Sequence, residues 1–274
     1  MKDADIVIEA NKVPGDYLKE LYQYRELFLF LAWRDILVRY KQAILGTAWA
    51  VIRPLLNMAV FTLLFGKVAH LSSFDVPYAL FVLAGMLPWL LVSGAVSDTC
   101  NSLINNVHLI SKIYFPRIIL STSQILVHLV DFGINLVLLF VLMAFMGSGS
   151  LSTLWSLPLL LALTLILCVG ASLWLSALTV QYRDFRFIVT FLVQFGMFVS
   201  PVGYGSYIVP GAWKWLYFLN PMVGIIDGFR WSLFGIDQPY MMWSLLFSFV
   251  ISSFLFISGL RYFKKTERSF ADRI

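Results

Sequence analysis

Apolar and polar positions follow one another along this chain in long blocks. Runs of about 20 apolar residues, each long enough to cross about 30 Å of hydrocarbon as a helix, are separated by short polar stretches. The pattern predicts six crossings, at about 46–66, 77–99, 118–146, 154–179, 187–202 and 241–261. Ahead of the first, Asp16 can cap a helix over 16–42. In it Tyr17, Leu21, Tyr24, Phe28 and Leu31 recur at helical spacing, and Lys19, Glu20, Gln23 and Glu26 lie mostly opposite. Leu27–Trp33 is apolar nearly all round. This mixture suits an amphipathic helix in the membrane interface, with Trp33 and Tyr40 at headgroup level. The fold class is therefore an all-α polytopic membrane protein.

The joints between blocks are as informative as the blocks. The turn-prone Leu45-Gly46-Thr47 links the charged helix to the first crossing, so Gly46 is a candidate hinge. Arg53-Pro54 falls in the first two turns of that crossing. Arg53 can reach back to the headgroups or pair with an acid, and Pro54 removes a backbone bond and predicts a kink. Gly85 and Pro88 predict an irregular second crossing, with Trp89 in mid-membrane. Residues 203–240 combine many Gly and Pro with Tyr204, Tyr207, Trp213, Trp215, Tyr217 and Trp231. Their apolar pieces are too short to span, and suit short re-entrant or interfacial helices before the last crossing.

Composition agrees with this outline. The chain has 274 residues, of which 60% are apolar and 13% charged, against about 25% charged for a soluble domain. Residues 1–26 mix Lys, Asp and Glu, so insertion is expected to rely on the internal apolar segments. Of the 20 Lys and Arg, 17 fall in 1–53, 100–118, 180–187 and 261–274. These segments share one face on a six-crossing topology. Positive residues stay inside, so both termini are expected in the cytoplasm, and 203–240 outside. The net charge of +5 therefore reflects topology and is no sign of a nucleic-acid partner. Cys100 and Cys168 fit neither a disulfide framework nor a metal site.

The candidate chemistry is sparse. Asp3-Ala4-Asp5 matches a metal motif of sugar-nucleotide transferases, but no catalytic scaffold surrounds it, and two solvated acids in a tail explain it far better. The P-loop pattern is absent, and no Glu lies between Glu26 and Glu267. His128 and Asp131 share a helix face at i, i+3. They can form a structural interhelical bond, line a polar conduit or relay protons. Residues 105–116 are either a plain connection or a brief amphipathic helix offering Asn106, His108, Lys112, Tyr114 and Phe115 to a soluble partner. The outer aromatics are either an interface belt or a surface on which sugar rings stack.

These residues resemble a family. The run from Arg39 to Trp49 (RYKQAILGTAW), followed by Arg53-Pro54, resembles the first-crossing signature of ABC-2 type permeases, and most closely the exporters of O-antigen, capsule and teichoic acid. Leu109–Arg117, Tyr182–Phe185, Asn220-Pro221 and Lys265–Asp272 are similar to further blocks of that family. The resemblance implies one transmembrane domain over 1–274, with cytoplasmic tails at 1–15 and 262–274, in the bacterial inner membrane. It implies a homodimer with two copies of a separate ATPase, which would bind the ATP and Mg, so that this chain holds no cofactor and is no enzyme. The implied cargo is a lipid-linked polysaccharide. Asn106, His108, Lys112, Tyr114 and Phe115, with Arg183 and Asp184, become ATPase-coupling candidates. Tyr40, Trp49, Trp89, His128, Asp131, Tyr204, Tyr207 and Trp213 become conduit candidates; Gly46, Arg53 and Pro54 remain the hinge. Three alternatives stay open: export of drugs or small lipids, a membrane-embedded glycosyl or lipid transferase, and a proton-coupled flippase using Asp131.

Overall fold

A computed structural model describes residues 17–41, 46–150, 152–267 and 270. Asp3-Ala4-Asp5, Pro14-Gly15, the Asp16 cap and Leu45 lie outside the described residues. The regular structure of the described residues is all helical, without strands. In order the helices are α1 (Tyr17–Gln23), α2 (Arg25–Lys41), α3 (Gly46–Phe61), α4 (Tyr78–Asn105), α5 (Val107–Lys112) and α6 (Ile118–Met146). They continue with α7 (Leu157–Gln181), α8 (Phe185–Val199), α9 (Gly211–Tyr217), α10 (Pro221–Phe234) and α11 (Met241–Thr266). Five helical stretches are long and apolar enough to cross a membrane: Ala48–Val68, Tyr78–Asn105, Ile118–Met146, Leu154–Gln181 and Met241–Thr266. α8 is a further, shorter apolar helix.

α4 is the central post. It is buried from Leu80 to Trp89 and packs against α6, α7 and α10. Gly85 and Pro88 do not interrupt it. Neighbours on several sides keep the helix continuous through two weak formers, a tertiary override of propensity. Gly85 instead leaves room for another side chain, Arg230 of α10. The first crossing carries an irregularity that the sequence does not suggest. Pro54 sits inside α3, and the helix widens to a π-helix over Thr62–Val68.

α7 and α11 lie alongside each other over their length. Close approach of backbones, rather than apolar volume, drives such pairing in lipid. A Cβ on Gly170 would stand 2.5 Å from the Phe256 nitrogen, and one on Gly259 2.6 Å from the Gly170 carbonyl oxygen. Gly170→Leu is expected to separate the two helices and to destabilise the protein by about 1–3 kcal/mol, the usual range for overpacking. Gly133→Leu is the control, because a Cβ there meets nothing within 4 Å. Thermal unfolding in detergent should drop for the first variant and not for the second.

The end of the bundle that carries α5 and the last turns of α11, the basic end, is rich in Lys and Arg. It has its own small core, in which Leu31, Phe115, Ile118, Leu173, Phe263 and Phe270 meet. Between α8 and α11 the chain folds into α9 and α10. α10 is buried almost throughout, and Asn220 caps it by accepting a bond from the Met222 nitrogen at 3.0 Å.

Candidate functional site

Three helices converge on one charged cluster. α2 brings Arg39 and Tyr40, α4 brings Asp98, and α6 brings His128 and Asp131. Arg39 places Nη2 2.8 Å from Asp131 Oδ2 and Nη1 3.4 Å from Asp98 Oδ2. Tyr40 donates its hydroxyl to Asp131 Oδ1. Burial, then this bond to a carboxylate, raise the Tyr40 pKa far above the ordinary phenol range, so the hydroxyl stays protonated and donates. His128 faces Asp98 Oδ2 with Nε2 at 2.7 Å and Asp131 Oδ2 with Nδ1 at 3.6 Å. The imidazole is 5% exposed, so it is a buried strut between two carboxylates. Gly94 makes the arrangement possible: a Cβ there would lie 2.4 Å from His128 Nδ1.

The cluster borders two cavities. One, of about 520 Å³, is lined by Tyr40, Trp49, Arg53, Pro54, His128 and Asp131 among others. The second, of about 560 Å³, is polar and includes Arg34, Asp35, Asn101, Asn106, Gln124 and Arg186. Arg39 and Asp98 line both, so their ion pair stands at the boundary. Around the second cavity α2 is bonded to its neighbours at two more points. Gln124 Nε2 donates to Asp35 Oδ2 at 2.5 Å, and Arg34 Nη2 reaches Asn106 Oδ1 at 3.5 Å. Arg186 Nε donates to Asn101 Oδ1 at 2.8 Å, which joins the start of α8 to α4.

The predicted residues divide accordingly. Tyr40, Trp49, Arg53, Pro54, His128 and Asp131 come together at one cavity. Gly46 opens α3. Trp89 does not join them. It is buried in the core, its indole against α8, where a Cβ on Gly196 would meet it at 2.7 Å. Tyr204, Tyr207 and Trp213 lie at the end away from the basic residues. Tyr204 donates to the Phe198 carbonyl at 3.0 Å, Tyr207 to that of Ser72 at 2.9 Å, and Trp213 is exposed. At the basic end His108, Lys112, Tyr114, Arg183 and Asp184 are exposed, and Asn106 is half-buried at the start of α5. Phe115 is a correction to the surface expected of 105–116. Its side chain is 4% exposed, turned into the small core against Ile118 and Phe263, because the chain must reverse there into α6.

Sequence reasoning passed over Arg39, Gly94 and Asp98. A signal existed for the last two. Gly94 and Asp98 are four apart on α4, hence on one face, and consecutive crossings joined by a short connection bring that face to α6 near His128.

Comparison with known proteins follows the same outline. Residues 26–234 match the family described as ABC-2 type transporter. The chain is 30% identical over 215 residues to an O-antigen export system permease protein RfbA of Myxococcus xanthus, covering 78% of this chain and 82% of that protein. It is 27% identical over 249 residues to a protein of the same description from Klebsiella pneumoniae, covering 90% and 94%. It is 21% identical over 201 residues to the polysialic acid transport protein KpsM of Escherichia coli, covering 73% and 77%. With helices able to cross a membrane several times and a family match over most of its length, this multi-pass chain belongs to the ABC-2 type transporter family.

Proposed function

We propose that this chain is the permease subunit of an ATP-driven exporter that moves a lipid-linked polysaccharide out of the cytoplasm. The observation that carries the reading is the similarity to O-antigen export permeases over 90% of the chain and 94% of the relative. The whole chain is then one transmembrane domain of the bacterial inner membrane, with the basic end in the cytoplasm by the positive-inside rule. Two copies work together with two copies of a separate ATPase, which holds the ATP and Mg; this subunit needs no cofactor. α3 and α8 support the pairing. α8 turns Phe187, Phe191, Phe195 and Phe198 outward, and α3 turns out Trp49, Leu56 and Val60. A second copy faces them, and the glycan passes between.

In this scheme the exposed His108, Lys112 and Tyr114, with Arg183 and Asp184, meet the ATPase. Closure of the ATPase on ATP displaces α5. Because Asn106 at the start of α5 is bonded to Arg34, α2 follows, and Arg39 and Tyr40 carry the motion to Asp131 at the cavity. The test is reconstitution of the purified permease with its ATPase in vesicles holding a lipid-linked glycan. ATP-dependent appearance of glycan on the far side is expected. Normal ATP turnover with no glycan moved would sink the reading, and movement of a small lipid or drug instead would favour the nearest alternative.

A further inference from the structure

α8 is the short crossing. Its 15 residues rise about 22 Å, against about 30 Å of hydrocarbon. On the exporter reading, the chain therefore leaves helical geometry inside the membrane, just after Val199. Carbonyls exposed there have no water to bond, and each costs several kcal/mol unless protein satisfies it. Three successive ones are satisfied. Arg230 Nη2 donates to the Val202 oxygen at 2.8 Å, Tyr78 donates to that of Gly203 at 2.6 Å, and Arg230 Nη1 donates to that of Tyr204 at 2.9 Å.

Arg230 is itself firmly seated. It is 0% exposed, its Nε points to the Phe81 carbonyl at 3.3 Å, and its guanidinium lies over the Phe81 ring at 3.6 Å. Asp227, one turn earlier on α10, brings Oδ1 to 3.8 Å from Nη1. Gly85 clears the space, since a Cβ there would stand 2.7 Å from Nη2 and 2.9 Å from the Val202 oxygen. An ionised side chain this deep in a membrane bundle is costly and marks function by default. Few side chains of α8 itself secure it: only Val189 is buried, with the Arg186–Asn101 bond and Trp89 at Gly196 as further ties to α4, whereas α10 and α4 are buried nearly throughout.

We propose that Arg230 is a positioning residue for transport: fixed on α10 and α4, it clasps the carbonyls of Val202 and Tyr204 and holds the outer end of α8 in its closed place. Outward movement of α8 requires these bonds to break, and they break at low cost only when water reaches 202–204, which is the condition of an open path. The clasp thus links hydration of the path to the position of α8. It rests on the exporter reading for its purpose, but not for its test.

The test uses thiol chemistry in the full-length protein in membranes. Val202 is 0% exposed, and the native Cys100 and Cys168 are free and buried. In a Val202→Cys background, alkylation of each thiol by N-ethylmaleimide is followed by mass spectrometry. Arg230→Gln combined with Asp227→Asn opens the clasp without leaving an unpaired charge. Loss of two bonds from a charged donor should speed alkylation at position 202 at least about tenfold, with Cys100 and Cys168 still protected. Gly85→Ala, which keeps both charges and crowds both partners of the bond, the guanidinium and the Val202 oxygen, should act in the same direction and covers the case where the double variant fails to fold. An unchanged rate at position 202 overturns the proposal. So does an equal rise at all three thiols, which would mean general loosening. Neither glycan nor ATPase is needed, so a failure of glycan export leaves this measurement independent.

Discussion

Gly94→Ala is expected to abolish glycan export while the protein still inserts. The added Cβ would lie 2.4 Å from Nδ1 and 2.5 Å from Cε1 of His128. The ring has nowhere to go, because it is buried and Asp98 and Asp131 hold its two nitrogens. Either His128 leaves its place between the carboxylates or α4 and α6 part. Overpacking of this kind costs about 1–3 kcal/mol, and a lower unfolding temperature should accompany the loss of export. Steric and electrostatic causes can be separated. Adding His128→Ala to Gly94→Ala removes the clash but not the loss of the ion pairs. Stability should then recover in part while export does not, a coupling that a double-mutant cycle measures directly. Full export from Gly94→Ala alone would show that the strut is dispensable.

Legibility of this fold in the sequence follows the physics of the bilayer. The third crossing, read as 118–146, is α6 itself, since hydrocarbon thickness and a polar boundary at each end fix it. The fifth, read as 187–202, ends three residues earlier in α8. Ser200 turns extended ahead of Pro201, a stop that the apolar run hides, and Arg230 then binds the carbonyls of Val202 and Tyr204. Those bonds join residues 28 and 26 positions apart, and Arg230 also reaches Phe81 149 positions away, which no local pattern can announce. Charge counting assigned Arg230 to the outer loops as one positive residue among three, whereas it is buried. The site divides in the same way. His128 and Asp131 could be paired from spacing on one helix, but Arg39 and Asp98 come from two other helices and needed the fold to meet them. Tyr40 and Trp49, on either side of the predicted hinge Gly46, line the cavity.

Asp131→Ala is expected to loosen α2 from the bundle and to weaken export, with no sensitivity to the proton gradient. Asp131 is where α2 is held most strongly, by Arg39 at 2.8 Å and by the Tyr40 hydroxyl. Hydrogen bonds to a charged group contribute about 1.5–3 kcal/mol. Arg39 is 36% exposed, so solvent weakens its share. The Tyr40 bond is part-buried, and without the carboxylate the hydroxyl lacks its acceptor. A net loss of roughly 2 kcal/mol corresponds to about a thirtyfold rise in local opening. Amide exchange followed by mass spectrometry should show that rise in peptides from 25–41 and leave α7 unchanged. Asp131→Asn should fall between, because an amide oxygen still accepts from Tyr40 while the charge facing Arg39 is gone. A proton relay predicts a different ranking: Asn would be as inactive as Ala, and collapse of the proton gradient would stop the wild type. If that ranking were found with exchange in 25–41 unaltered, Asp131 would be a titrating group and not the anchor of α2.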